Sequence, residues 1–184
     1  MPARFLIPAV SALFGLILTS CTTTSPLVYR IDQANPQATT GRSMGIDSSG
    51  APIPGSMYQS FTPTGNSLSA VSLRFRCGGS FPEGGVGSNI RIREGTYDGA
   101  VLGMATTVIS GPMETGINLE VFYKWDTPLT LVSGQTYFIE WEATAGAVMS
   151  WLCVTDVNSY ARGGSFGPQG NEYPDDDFAF TVYR

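Results

Sequence analysis

The sequence has no histidine in its 184 residues. That absence removes the commonest general base and the commonest metal ligand together, so Ser-His-Asp and Cys-His mechanisms are excluded, as is a typical catalytic zinc site. Charge is scarce, at 14% of residues against 42% hydrophobic, and basic residues are the scarcer sign, ten against fifteen acidic. Residues 1–20 carry only Arg4, so the chain after them holds nine basic and fifteen acidic residues, a net −6. That balance argues against nucleic acid or an anionic lipid surface as an electrostatic partner. Three cysteines, Cys21, Cys77 and Cys153, are too widely spaced for a zinc cluster. No window shows convincing helical periodicity, and abundant Gly, Ser and Thr point to a β-rich globular domain.

The longest apolar run, Phe5 to Leu18, is broken only by Pro8, Ser11 and Gly15 and follows the single charge of Arg4. It is short of the roughly 20 residues that span a bilayer as a helix, and it has the size of a signal-peptide core. It ends in Leu18-Thr19-Ser20-Cys21, a tetrapeptide that resembles the bacterial lipobox. The resemblance implies cleavage after Ser20 and a diacylglycerol on the sulfur of Cys21, a lipid anchor strong enough to hold the protein at a membrane. The alternatives are an ordinary secretory signal with a chance cysteine, or a simple membrane helix. Thr22 is not the aspartate that holds such lipoproteins at the inner membrane, which implies an outer-membrane or cell-surface destination in a bacterial cell envelope.

Residues 21–55 are rich in Thr, Ser, Pro and Gly, with one apolar island at 27–31, and are expected to form the lipidated cysteine and a flexible tether. The island is a candidate strand that docks onto the domain. Residues 56–184 are the expected domain. Apolar alternation and turn residues predict short strands near 57–61, 68–76, 89–93, 101–109, 117–123, 129–132, 136–143, 148–155 and 178–183. Eight or nine such strands predict an all-β, antiparallel sandwich.

"QSFTPTGNSLSAVSLRF" at 59–75, "PLTLVSGQTYFIEWEA" at 128–143, "SYARGGS" at 159–165 and "DFAFTVYR" at 177–184 resemble, in this order, a bacterial extracellular jelly-roll domain akin to carbohydrate-binding modules. The resemblance implies a jelly-roll sandwich and a non-catalytic role in binding glycan or in surface adhesion. A structural lipoprotein docking onto another envelope protein is the alternative. A carboxylate-dependent glycoside hydrolase is the third reading.

Candidate site residues follow from side-chain chemistry. Cys77 and Cys153 share inward strand parity, and in an oxidising compartment they form either a disulfide or two buried thiols. Glu140 and Glu142, two apart on one strand face, have a spacing within the range of an inverting glycosidase. Outward parity shared with Arg74, Arg76, Arg91 and Arg93 instead predicts solvated cross-strand ladders. Asp177 and Asp175 are the candidate ligands of a structural calcium ion, or members of a solvated acidic turn; the resembling domains place an aspartate at the position of Asp177. Sugar binding asks for aromatic platforms flanked by polar groups, and Tyr160, Arg162, Phe166 and Tyr173 in the Gly-rich segment "NSYARGGSFGPQGNEYPDDD" are the candidates. Tyr160 also belongs to the resembling family's structural pattern, which implies core or turn packing.

Overall fold

A computed structural model of the chain describes residues 29–35, 40–44, 55–77, 85–110, 116–143, 149–154 and 160–184. The signal segment and Cys21 lie outside the described residues. In chain order the strands are β1 (Ile31–Asn35), β2 (Thr40–Met44), β3 (Ser56–Phe61), β4 (Ser67–Cys77), β5 (Val86–Glu94), β6 (Val101–Ile109), β7 (Asn118–Thr130), β8 (Tyr137–Ala143), β9 (Met149–Val154), β10 (Ser165–Phe166), β11 (Glu172–Tyr173), β12 (Asp177–Phe178) and β13 (Phe180–Tyr183). A single 3-10 turn, Pro168–Gly170, is the only helical element among the described residues.

All pairings are antiparallel, and they make two sheets. One runs β11-β10-β3-β8-β5-β6. The other is organised around β4, which pairs with β7 along one side. On its other side β4 pairs first with β13 and then with β9, so the sheet forks near Leu73 and Phe75. The protein is thus an all-β, two-sheet sandwich.

The period-2 pattern of the sequence is realised residue by residue. On β5, Val86, Ser88, Ile90 and Ile92 are buried while Gly87, Asn89, Arg91 and Arg93 alternate with them. Between the sheets lies a chain of aromatic rings. Phe75 is 4.7 Å from Trp141, Trp141 is 6.3 Å from Trp151, and Trp151 stacks on Phe178 at 4.4 Å and 15°. The two sheets are also joined by a buried polar link. Trp141 Nε1 donates to Ser88 Oγ at 2.9 Å, and Ser88 Oγ lies 2.5 Å from the Tyr123 hydroxyl. Burial pushes that hydroxyl's pKa far up, so it stays a neutral partner.

Three expectations are corrected. The boundary at residue 56 falls too late, because β1 pairs with β13 and β2 with β9 inside the expected tether. Composition weighs apolar burial alone, whereas these segments complete the backbone ladder, and the buried Gln33 and Asn35 add side-chain bonds to main-chain carbonyls. The segments predicted at 117–123 and 129–132 are one strand. Residues 125–128 bulge opposite Ser69, and Pro128 is tolerated because β7 lies at a sheet edge.

The third correction concerns Cys77 and Cys153, which are both buried and are not joined by a disulfide. Parity put both inward, and both are. Register separates them, since Cys77 faces Met149 and Cys153 lies four residues further along β9. That is about 13 Å of strand, well beyond the Cα separation a disulfide spans.

Candidate functional site

The Gly-rich segment does not assemble the expected aromatic platform. Tyr160 is a core residue, 6% exposed. Its ring meets Phe180 edge-on at 5.1 Å, its hydroxyl donates to Gln33 Oε1, and its N–H donates to Asp177 Oδ2 at 2.7 Å. Arg162 is exposed, with its guanidinium 6.0 Å from the Tyr160 ring centre. Phe166 turns to the outer face of the six-stranded sheet, stacked on Tyr97 at 6.1 Å and 5.5 Å from Phe138. Tyr173 packs over Gly167, where a side chain would overlap its ring. These four residues face different environments, and no single ligand surface collects them.

The candidate calcium ligands lie in and beside the same loop. Asp177 is 1% exposed, and its two carboxylate oxygens accept from Tyr160 N–H and, at 3.4 Å, from Gln59 Nε2. Asp175 is exposed, and among the described residues no three acidic or cysteine side chains stand close enough to hold an ion. Calcium needs several oxygens turned toward it. The Asp177 carboxylate is turned to N–H donors instead, which makes it a latch between β12, β3 and the segment before β10.

Glu140 overturns the expectation of a solvated ladder. It is 3% exposed on β8, between β3 and β5. Its carboxylate accepts from Arg93 Nε at 2.6 Å, Arg91 Nη1 at 3.1 Å and Ser56 Oγ at 2.7 Å. Arg91 also bonds Glu142 at 2.6 Å, and Arg93 bonds the carbonyl of Gly99 at 2.8 Å. Burial pushes Glu140 up, but the Arg93 and Ser56 hydrogen bonds and the charges of Arg93 and Arg91 together hold it below the usual carboxylate range. A general acid needs the opposite shift, so Glu140 does not fit that role, and its carboxylate is taken up by Arg91, Arg93 and Ser56. The predicted ladders are real for Arg91 and Arg93. Arg74 and Arg76 stand in the other sheet, opposite Glu120 and Asn118.

That other sheet carries the best candidate site, on its outer face. The middle strand β4 presents small residues outward there, Ala70 and Ser72. Flanking side chains therefore lean across it: Phe122 of β7 and Tyr183 of β13 approach to 5.1 Å, and Tyr29 closes the group at 5.4 Å from Phe122 and 6.2 Å from Tyr183. The rings bury Ala70 and Ser72, yet Phe122 remains 40% exposed.

One residue pair further along, near the fork in the sheet, is an open groove of about 260 Å3 lined by Arg74, Asn118, Leu119, Glu120 and Thr181. Ser72 Oγ donates to Glu120 Oε1 at 2.7 Å and fixes that carboxylate at the groove's edge beside the rings. Donors and acceptors thus border an exposed aromatic surface, the combination that sugar hydroxyls and C–H faces require. Neither Phe122 nor Tyr29 stood out in the sequence. Their convergence depends on β13 lying next to β4. No family model matches the chain, and no curated protein matches it.

Proposed function

We propose that this protein is a lipid-anchored protein of the bacterial envelope whose sandwich is a non-catalytic glycan-binding module. The anchor is supported by Leu18-Thr19-Ser20-Cys21 and the apolar run before it, and Thr22 supports an outer-membrane or surface address. The jelly-roll resemblance supports the binding role. The observation that carries the ligand class is the exposed Phe122 ring, backed by Tyr29 and Tyr183, beside a groove bordered by Arg74, Asn118, Glu120 and Thr181. The groove is smaller than the roughly 300–1,000 Å3 pockets of drug-sized ligands, which suits one sugar ring resting on the surface rather than a buried chain.

Two measurements test this reading. Radiolabelled palmitate is expected to be incorporated by the wild type and not by Cys21→Ala. On a glycan array the full chain in detergent is expected to bind, and Phe122→Ala is expected to lose about tenfold in affinity, the effect of one stacking contact. The variant should melt near the wild-type temperature, because the ring is half in solvent. Silence of a folded wild type across the array, or binding indifferent to Phe122, would overturn the glycan reading and turn the search toward a protein partner in the envelope.

A further inference from the structure

Because β1 belongs to the sandwich, only residues 22–28 separate Cys21 from Tyr29. Whatever their conformation, those eight steps of chain reach at most about 29 Å. The eleven residues of β4 alone span roughly 36 Å, so a membrane that holds Cys21 cannot lie beyond the opposite end of the sandwich. It lies at the end where the chain enters.

That end has a composition of its own. Arg30 pairs through its backbone with Arg184, and in register Ile31 faces Tyr183, Tyr183 faces Ala70 and Ala70 faces Lys124. Thr62 Oγ1 donates to the Arg162 carbonyl at 3.2 Å and so places Arg162 there as well. Four of the nine basic residues that follow the signal segment thus gather at one end. Arg30, Lys124 and Arg162 form no ion pair among the described residues, whereas Arg91 and Arg93 are taken up by Glu140 and Glu142. Thr64 N–H donates to Asp32 at 3.0 Å and Ser133 Oγ donates to the Thr64 carbonyl at 2.9 Å, which bring the turn after β7 to the same place. Ile31 and Val132 are there 62% and 59% exposed. Basic side chains beside exposed apolar ones and tyrosine are what a membrane interface receives.

We propose that this end of the sandwich rests on the headgroup layer of the membrane that holds Cys21, its basic side chains on lipid phosphates and Ile31 and Val132 at the polar–apolar boundary. The proposal rests on the lipid-anchor reading. The net charge of −6 opposes an anionic surface for the chain as a whole, but at a screening length of about 8 Å the phosphates sense the nearest charges. Of the acids, Asp126 is exposed beside Lys124, Asp32 is turned inward to Thr64, and Glu94 and Asp98 stand across the sandwich at the β5–β6 turn. A short tether keeps the domain at high local concentration over the bilayer, so the contact needs little affinity of its own. The groove stays open, since Arg74 and Glu120 lie four residues, about 13 Å of strand, further from this end than Ala70 and Lys124.

The test is methyl NMR on the acylated full chain in nanodiscs of phosphatidylcholine and phosphatidylglycerol that contain a lipid with a nitroxide headgroup, after intact mass has read the acyl groups on Cys21. Broadening is expected to be strongest at Ile31 and Val132 and weak at Ile117 and Val108, which are also exposed but lie at the opposite end. Arg30→Gln with Lys124→Gln is expected to lower the ratio of docked to free domain about 25-fold, about fivefold for each cation removed, and to erase most of that contrast while the melting temperature holds. A chain without acyl groups would overturn the anchor and the contact with it. An acylated chain whose Ile31 and Val132 broaden no more than Ile117 and Val108, or whose contrast survives the double substitution, would overturn the contact and leave the anchor standing.

Discussion

Glu140→Ala is expected to lower stability by about 2–4 kcal/mol, a drop of roughly 6–12 °C in melting temperature for a domain of this size. The reason is what the substitution leaves behind. Arg91 and Arg93 converge on this carboxylate at 3.1 and 2.6 Å, with side chains 27% and 20% exposed, and without it two guanidiniums sit together with only Glu142 to offset them. Removing one partner of a buried pair costs several kcal/mol, and the partial exposure of the arginines reduces that figure here. Glu142→Ala is the internal contrast. Its side chain is 41% exposed and holds Arg91 alone, so less than about 1 kcal/mol is expected.

The pH dependence follows from the direction of the Glu140 shift. Its folded pKa lies below the ordinary value of 4.5, so its contribution is complete above that value and fades as pH falls through the folded one. Thermal melts of wild type and Glu140→Ala should therefore differ most near neutrality and converge as the pH falls below the ordinary carboxylate value. A gap that stayed constant with pH would show that the loss comes from packing and not from charge.

Tyr160→Ala is expected to cost about 3–5 kcal/mol, and thus roughly 8–15 °C, because it removes a buried ring from between the sheets. Its cost extends to a network that joins distant parts of the chain. The hydroxyl satisfies Gln33 of β1, while the bond to Asp177, which also receives Gln59 of β3, comes from the backbone N–H and survives the substitution. Tyr160→Phe separates the two contributions. It keeps the ring and strands the buried Gln33 oxygen, for an expected loss of about 1–2 kcal/mol. Urea melts of the three proteins decide the matter. A Tyr160→Ala protein as stable as the wild type would contradict the core placement and restore this residue to the candidates for ligand contact.

The sites differ in how much of them could be read along the chain. Strands β3, β4, β5, β6, β8 and β9 were legible because each faces one core and alternates at period 2, a purely local property. β2 escaped, and the candidate strand at 27–31 meets β1 only at Ile31, because both strands enter by backbone pairing with little apolar content. The two-residue strands β10 and β11 carry too few residues for any periodicity. Trp141 and Trp151 are both buried, as their parity on β8 and β9 dictates.

The absence of histidine excludes histidine-based mechanisms, and repeated short alternations specify an antiparallel sandwich. The sequence also determined which way most side chains point, since parity needs only the strand. Tertiary structure alone decided which inward or outward residues meet. Register set Cys77 and Cys153 apart, the covering of β8 turned Glu140 from a solvated group into a buried anion, and the placement of β13 beside β4 brought Tyr29, Phe122 and Tyr183 together. The physical reason is common to all three: pairing and register join residues far apart in the chain, and no local pattern encodes the partner.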